Sequence, residues 1–235
     1  MSSEQASQAG SACGSAPSIP VAEARGLTAR FDKREGKNMR VVTGEAKGRK
    51  LKAPKTAGTR PIIDRVKTAL FDILSTRVED ARFLDLFAGT GSVGIEALSR
   101  GAAQATFIEM NHSVLKLVRE NLKITGLGDR AETLQADAFK FLQSNAAQNG
   151  NAQRVYDMIY VAPPQYHEMA ARALAMLDTS PLLAEDGLVI IQIHPKERSV
   201  VAAVPLTRLV LSDERKYGST LLMFYERVSG QDDGN

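Results

Sequence analysis

Three glycines spaced G-x-G-x-x-G, directly after a short apolar run, constrain this chain more than any other feature. Residues 85–94 read D-L-F-A-G-T-G-S-V-G, and the apolar run consists of Phe83, Leu84, Leu86 and Phe87. Such a run is typical of a buried parallel strand. Glycine lets the backbone turn sharply, approach a ligand closely and present amide groups at the start of a helix. Residues 85–94, here called the glycine loop, therefore predict a strand, a cofactor-binding turn and a helix.

Strand and helix patterns alternate along the rest of the chain. The predicted strands are 83–87, 105–109, 131–135, 156–161 and 188–193, and the predicted helices are 61–76, 91–100, 112–124 and 167–178, with a short one through Phe141 and Leu142. Runs 207–212 and 219–226 predict a closing antiparallel hairpin. We expect an α/β fold with a doubly wound, mostly parallel, seven-stranded Rossmann-like sheet, whose ligand lies at the carboxyl ends of the first strands.

Composition excludes several classes of protein. No apolar run approaches the roughly 18 residues that a membrane helix requires, so no membrane span is predicted. The single cysteine, Cys13, has no partner, which excludes an intramolecular disulfide and fits a reducing compartment. His112, His167 and His194 are scattered without zinc-type spacing, so no metal site is expected.

Basic residues concentrate near the beginning of the chain. Residues 30–67 carry thirteen Lys and Arg against four acids, while the whole chain has a net charge of only +3. Such a patch beside a cofactor-binding core is typical of a protein that binds a polyanion, most simply nucleic acid, although a solvated basic segment would look the same. Residues 39–60 predict a small basic hairpin with five candidate residues for binding nucleic acid: Arg40, Lys47, Arg49, Lys50 and Lys52.

The ends of the chain predict tails. Residues 1–38 begin with a stretch rich in Ser, Ala, Gly and Gln, which is too polar and aperiodic to fold alone, and residues 229–235 are similar. Residues 61–228 are the expected main domain. A transit peptide is the alternative for the leader, but Glu4, Glu23 and the lack of Arg before Arg25 argue against it. We therefore expect a cytoplasmic protein, with organellar import as the alternative.

Three acids at strand ends narrow the choice of cofactor. Glu109 can accept both ribose hydroxyls, or it is an ordinary strand-terminal acid. Asp137 can accept from the adenine amino group, or it caps the helix that follows. A carboxylate at Asp85 is unhelpful to the pyrophosphate of a nicotinamide cofactor, whereas S-adenosylmethionine brings an ammonium, a sulfonium and no phosphate. Asp85 therefore favours S-adenosylmethionine.

The fourth predicted strand ends in V-A-P-P-Q-Y at residues 161–166. Prolines fix φ and remove amide donors, which leaves bare carbonyls in a rigid turn where a substrate would meet the cofactor. With this turn, the chain resembles a class I S-adenosylmethionine-dependent methyltransferase. It is more specifically similar to the bacterial family that methylates the exocyclic N2 of a guanine in 16S ribosomal RNA.

The resemblance covers residues 39 to about 227 and is carried by several motifs in order. They are M-R-V-V-T-G-E-A-K-G-R-K-L, R-P-I-I-D-R-V-K-T-A-L-F-D-I-L, D-L-F-A-G-T-G-S-V-G-I-E-A-L-S-R-G-A, F-I-E-M and the double proline. It implies direct in-line methyl transfer to a base that has left its stack. The implied partner is ribosomal RNA or an assembling small subunit, and we expect a monomer.

The resemblance also implies two sets of site residues. The expected cofactor-binding residues are Arg65, Asp85, Phe87, Ala88, Gly89, Gly91, Gly94, Glu109, Met110, Asp137 and Ala138. The residues expected to meet the substrate are Ala162, Pro163, Pro164, Gln165 and Tyr166.

The chain departs from the family pattern at the substrate turn. Amino-methylating relatives carry Asn or Asp, then two prolines, then an aromatic residue, whereas Ala162 and Gln165 stand at the first and last of these positions. Ala162 cannot accept a hydrogen bond, so the amine would rest on carbonyls near Pro163 and on Gln165, with Tyr166 stacking on the base. Two alternatives stay open: another acceptor, such as a different base, DNA or a protein amide, or a ribosome-associated module that binds the cofactor without transferring methyl.

Overall fold

The computed structural model of the protein describes residues 39–53, 62–146, 154–165 and 168–228. The predicted tails, 1–38 and 229–235, lie outside these residues, as do the second part of the basic hairpin and Pro61. Tyr166 also lies outside them. Within the described part of the chain, no helix is long and apolar enough to cross a membrane.

A seven-stranded sheet forms the centre of the described domain, with the order β3-β2-β1-β4-β5-β7-β6. The strands are β1 Arg82–Asp85, β2 Gln104–Glu109, β3 Ala131–Gln135, β4 Tyr156–Val161, β5 Leu183–Ile193, β6 Leu209–Tyr217 and β7 Thr220–Arg227. The first five are parallel, and β7 is antiparallel to both β5 and β6. The strand order reverses beside β1, which is where open α/β sheets bind ligands. The predicted fold class is confirmed.

In the described ranges, six helices cover the sheet, three on each face. They are α1 Asp64–Leu74, α2 Ser92–Ser99, α3 His112–Thr125, α4 Ala138–Ala146, α5 Met169–Asp178 and α6 Arg198–Ala202. Apolar residues of α1, α2 and α3 pack on one face of the sheet. Those of α4, α5 and α6 pack on the other face. The inner strands β2 and β4 are therefore buried on both sides along most of their length, as their apolar runs require, whereas the edge strands β3 and β6 are more exposed.

Local signals explain where these elements begin and end. The side chain of Asn111 accepts from the backbone N–H groups of Ser113 and Val114, which caps α3, and Gly126 in a left-handed conformation ends it. The bounds predicted for the middle strands and helices differ by one or two residues from those observed. Larger differences occur at α1, which begins at Asp64, at β5, which begins at Leu183, and at β6, which extends to Tyr217. Helix α6 was not predicted.

Residues 39–53, here called the basic segment, turn back on themselves as predicted but do not form two strands. A single antiparallel bridge joins Arg40 and Lys50. The backbone donors of Val42 and Thr43 bond to Glu96 of α2 at 2.8 and 2.9 Å. These donors are satisfied by a helix, so they are not available for a strand ladder.

Candidate active site

A cavity of about 440 Å³ opens at the carboxyl edge of the sheet, where β1, β2, β4 and β5 end. This volume falls within the range of roughly 300–1,000 Å³ typical of small-molecule sites. The glycine loop forms one wall, and the turn after β4 forms another. The elements that the sequence predicted to hold a cofactor and a substrate therefore face one cavity.

The glycine loop is fixed by hydrogen bonds to acids at the ends of two strands. The N–H of Gly89 donates to Glu109 Oε2 at 3.1 Å, and the N–H of Gly94 donates to Asp85 Oδ2 at 3.2 Å. Gly94 packs directly on the ring of Phe107, because a Cβ built there would lie 2.4 Å from Phe107 Cε1. The third glycine of the motif therefore lets α2 approach the sheet closely.

Asp85 is a buried acid in the cavity wall. Its side chain is buried, and its Oδ1 has no hydrogen-bond partner among the described residues. Burial raises the pKa of Asp85 to about 7, although the bond from Gly94 opposes the rise. A buried carboxylate oxygen without a donor is the group that a cationic ligand would satisfy.

Glu109 and Asp137 also line the cavity. Glu109 Oε1 accepts from the N–H of Asn111 at 2.7 Å, so each carboxylate oxygen of Glu109 accepts one backbone hydrogen bond. Each oxygen can accept a second hydrogen bond from a ligand. Asp137 Oδ1 accepts from the N–H of Lys140 at 2.9 Å, which is the helix-capping role considered for it. Met110 stands at the rim, with 67% of its surface exposed.

The turn after β4 supplies the wall opposite the glycine loop. Ala162, Pro163, Pro164 and Gln165 all line the cavity. Pro163 is buried, Pro164 is exposed, and the other two are intermediate. The structure therefore brings the predicted substrate residues that it describes to the predicted cofactor residues.

Three predicted cofactor residues do not line the cavity. Gly91 and Gly94 are buried and do not reach the cavity surface, so they contribute by allowing the backbone conformation of the glycine loop. Arg65 is exposed on the first turn of α1 and is absent from the lining. Its role as a cofactor ligand stays a prediction without support from this geometry.

Two polar side chains of the cavity wall that lie outside the glycine loop were not found from the sequence. Tyr160 of β4 donates its hydroxyl to Gln192 Oε1 of β5 at 2.6 Å. Burial, followed by the charge of Asp85, raises the pKa of Tyr160 well above its ordinary value. A glutamine within the apolar run L-V-I-I-Q-I was the available signal for Gln192.

The five predicted RNA-binding residues are all exposed on the basic segment. Arg40 pairs with Asp64 at 3.0 Å and Lys52 pairs with Glu120 at 2.8 Å. Lys47, Arg49 and Lys50 make no ion pair among the described residues, so their charges are free to meet a polyanion.

The basic segment is anchored next to the glycine loop. Asn121 of α3 accepts from the N–H of Lys52 at 2.7 Å and donates to the carbonyl of Thr90 at 3.0 Å. Farther along, the backbone of Gly44 lies against Ser99 so closely that a Cβ would fall 1.7 Å from the Ser99 carbonyl oxygen. The segment therefore runs along α2 from the cavity wall towards the other end of the helix.

No group of three His, Cys, Asp or Glu residues with the geometry of a metal site occurs in the described ranges.

A protein family and several known proteins match most of this chain. The sequence pattern of the family described as Conserved hypothetical protein 95 matches residues 39–226. Ribosomal RNA small subunit methyltransferase D of Escherichia coli K12 is 33% identical over 198 residues, which cover 84% of this chain and 94% of that protein.

Two solved structures are also similar. A hypothetical protein of Thermus thermophilus superposes with a TM-score of 0.65 and 32% identity, over 80% of this chain and 99% of that one. An RNA methyltransferase from Salinibacter ruber, solved with S-adenosyl-L-homocysteine, has a TM-score of 0.53 and 15% identity over 74% of this chain and 97% of that one. The second likeness concerns the fold alone.

Proposed function

The chain belongs to the family described as Conserved hypothetical protein 95, and from that premise we propose that it transfers a methyl group from S-adenosylmethionine to the exocyclic N2 of a guanine in 16S ribosomal RNA. The relative from Escherichia coli K12 is named a methyltransferase of small-subunit ribosomal RNA. The observation that carries the proposal is that Asp85, whose Oδ1 has no hydrogen-bond partner among the described residues, lines the same cavity as the proline turn.

The residues of the cavity fit S-adenosylmethionine. Asp85 Oδ1 would take the ammonium, because it is a buried acceptor without a donor among the described residues. Glu109 would take the ribose hydroxyls through its remaining acceptor positions, and Asp137 would take the adenine amino group. Met110 and Ala138, which also line the cavity, would cover the adenine ring. When bound, this cofactor supplies a methyl group already activated by its sulfonium.

The other wall of the cavity would position the base. The two prolines have no backbone N–H, so this turn offers carbonyl acceptors without competing amide donors. The carbonyls near Pro163 would accept hydrogen bonds from the target amine. The amine would receive the methyl group as the carbon–sulfur bond of the cofactor breaks, and it would then lose a proton to water. The protein contributes mainly alignment and exclusion of water, since the methyl donor needs no further activation.

The basic segment would hold the RNA backbone beside this cavity. We propose that residues 39–60 form this docking element and residues 61–228 the transferase domain. Lys47, Arg49 and Lys50 are exposed and carry no counter-charge from the described residues, which suits contacts to phosphate. A protein acting on ribosomal RNA works in the compartment that assembles ribosomes, so we propose cytoplasmic action, as a monomer.

Transfer to isolated small subunits tests the function. Purified protein is incubated with radiolabelled S-adenosylmethionine and undermethylated small ribosomal subunits, and the RNA is digested to nucleosides. We expect the label in N2-methylguanosine. Label in another nucleoside or in protein would favour a different acceptor. Tight binding of the cofactor with no transfer to any acceptor would favour the non-catalytic module that Ala162 leaves open.

A further inference from the structure

Gln192 stands beside the position where the family's amide or acid is missing. The parallel pairing of β4 with β5 aligns Tyr160 with Ile190 and Val161 with Ile191. The next step of this register places Ala162 opposite Gln192. Neighbouring strands lie about 4.8 Å apart, so a side chain from Gln192 can reach the space that a longer residue at 162 would fill.

These residues also share one face of the sheet. Side chains alternate between faces along a strand, so Tyr160 and Ala162 point to the same side, as do Ile190 and Gln192. Tyr160, Ala162 and Gln192 all line the cavity. The polar group of Gln192 is therefore available at the substrate wall rather than in the opposite core.

Tyr160 fixes the orientation of the Gln192 amide. Its hydroxyl donates to Gln192 Oε1 at 2.6 Å, and Tyr160 itself is only 2% exposed. The amide oxygen keeps a second acceptor position, and the amide nitrogen donates no hydrogen bond within the described part of the chain. The side chain thus offers one acceptor and two donors from a fixed position.

We propose that Gln192, oriented by Tyr160, binds the target amine in place of the side chain that Ala162 lacks. This inference rests on the proposed function. The amide oxygen accepts from an N2–H of guanine, and the amide nitrogen donates to the neighbouring ring nitrogen N3. Guanine presents this donor and acceptor side by side on one edge, and an amide matches them as a pair. Uracil has no exocyclic amine for the amide oxygen to bind.

Tyr160 is a positioning residue in this arrangement, and Gln192 is the group that touches the substrate. Ala162 has a role as well, since its single methyl leaves room for the longer glutamine. An asparagine at 162 and a glutamine at 192 would compete for the same space.

Substitutions at these three positions test the inference in the full-length protein with undermethylated small subunits. Gln192→Ala should lower kcat by about 10- to 100-fold, as expected for loss of a paired amide contact to a base. Its Kd for S-adenosyl-L-homocysteine should stay within about twofold of wild type. Tyr160→Phe should lower kcat by a smaller factor, because the amide stays but loses its fixed orientation.

Rescue distinguishes substrate binding from a structural role. Ala162→Asn should lower activity in the wild-type background through crowding, but should raise the kcat of Gln192→Ala by about tenfold or more. The matched controls are Gln104→Ala, an exposed glutamine at the start of β2, and Tyr225→Phe, a buried tyrosine whose side chain belongs to the opposite core. Both controls should keep the wild-type kcat.

The inference is overturned if Gln192→Ala keeps kcat within twofold, or if Ala162→Asn fails to raise the activity of that variant. If Gln192→Ala does not fold, Tyr160→Phe carries the test, and a kcat equal to that of wild type overturns the inference. A wild-type protein that forms no N2-methylguanosine refutes the proposed function itself, and the role of Gln192 falls with it.

Discussion

The ammonium nitrogen of Lys67 lies 3.1 Å from a carboxylate oxygen of Glu96, and both side chains are closed off from solvent. Lys67 also donates to the carbonyl of Arg40 at 2.6 Å. Glu96 accepts from the backbone of Val42 and Thr43. Burial lowers the pKa of Lys67, and the charge of Glu96 opposes this shift. This internal pair fastens the basic segment to both α1 and α2.

Removing one partner of this pair should destabilise the protein strongly. Among the described residues, Lys67→Met leaves the buried carboxylate of Glu96 with only Arg100 as a cationic neighbour, at 3.0 Å. We expect the free energy of unfolding to fall by about 3–5 kcal/mol, measured by urea denaturation. Lys140→Met, an exposed lysine on α4, is the control and should change it by less than about 0.5 kcal/mol. A loss for Lys67→Met as small as that of the control would contradict the structural role of the pair.

Asp85 should make cofactor binding depend on pH. Its pKa of about 7 means that the carboxylate is largely protonated at pH 6 and ionised at pH 7.5. Only the ionised form attracts an ammonium, so affinity for S-adenosyl-L-homocysteine should rise about tenfold between these values. In Asp85→Asn the affinity should be lower and should not rise over this range. Calorimetric titrations at several pH values measure it, and an equal rise in both proteins would refute the assignment.

Gly94 should tolerate no added methyl group. Gly94→Ala places a carbon against the buried ring of Phe107, at 2.4 Å if nothing moves, so we expect a loss of about 1–3 kcal/mol of stability. Phe107→Leu in the same protein should recover part of it by making room. Gly128→Ala is the control, because a Cβ there meets nothing within 4 Å. Unchanged urea midpoints for Gly94→Ala would show that α2 does not depend on this close approach.

Asp178 at the end of α5 should contribute stability that acid removes. It accepts four hydrogen bonds from the segment that leads into β6: Thr207 N, Thr207 Oγ1, Arg208 N and Leu209 N. Burial alone would raise the pKa of Asp178, but these bonds outweigh it and hold the pKa below its usual range. A depressed pKa stabilises the folded state above the unfolded value of about 3.9, and this stabilisation is lost as the pH falls through the folded value.

Asp178→Asn should therefore lower the free energy of unfolding by about 1.5–3 kcal/mol at pH 7, and the difference from wild type should shrink below about pH 4. Denaturant unfolding at a series of pH values checks this. The exposed Asp129→Asn serves as control and should follow wild type throughout. A difference that stays constant down to pH 3 would mean that the Asp178 charge is not involved.

The free charges of the basic segment should set the salt dependence of RNA binding. Lys47→Ala combined with Lys50→Ala should weaken binding to small subunits at every salt concentration. The plot of log K against log salt, which has a negative slope, should also become less steep by about 0.7–0.9 for each phosphate that the variant no longer neutralises. Filter binding between about 50 and 200 mM salt measures both effects. Lys140→Ala, on the opposite face of the sheet, should leave the slope unchanged, and an unchanged slope in the double variant would remove the segment from the interface.

Much of the fold could be predicted because its signals are local. The apolar run before Asp85, the glycines after it and Gly126 after α3 each mark an element boundary within a few residues. Glu109 and Asp137 could be placed at the cavity because parallel strands present their carboxyl ends on one edge. The resemblance to the family supplied the expectation that the proline turn meets the substrate.

The interactions that were missed join residues far apart in the chain. Tyr160 and Gln192 meet only because β4 pairs with β5 in a particular register, and Lys67 meets Glu96 only after α1 packs on α2. In the sequence, none of these polar residues stands in a local pattern that indicates its partner. The basic segment is predicted to form two strands, but Glu96 of α2 binds the backbone donors of Val42 and Thr43, and the two arms share a single bridge.

The three backbone hydrogen bonds of the Asn121 amide restrict which residue can stand at position 121. It must accept from Lys52 and donate to both the Lys52 and Thr90 carbonyls at once. Aspartate of the same size would present an oxygen where two carbonyls need a donor, and leucine would satisfy none of the three groups. Because the amide spans the basic segment and the glycine loop, a displacement of either one is felt by the other. Binding of a polyanion by the basic segment and the conformation of the glycine loop therefore depend on each other. The side chain that couples them would contact neither ligand.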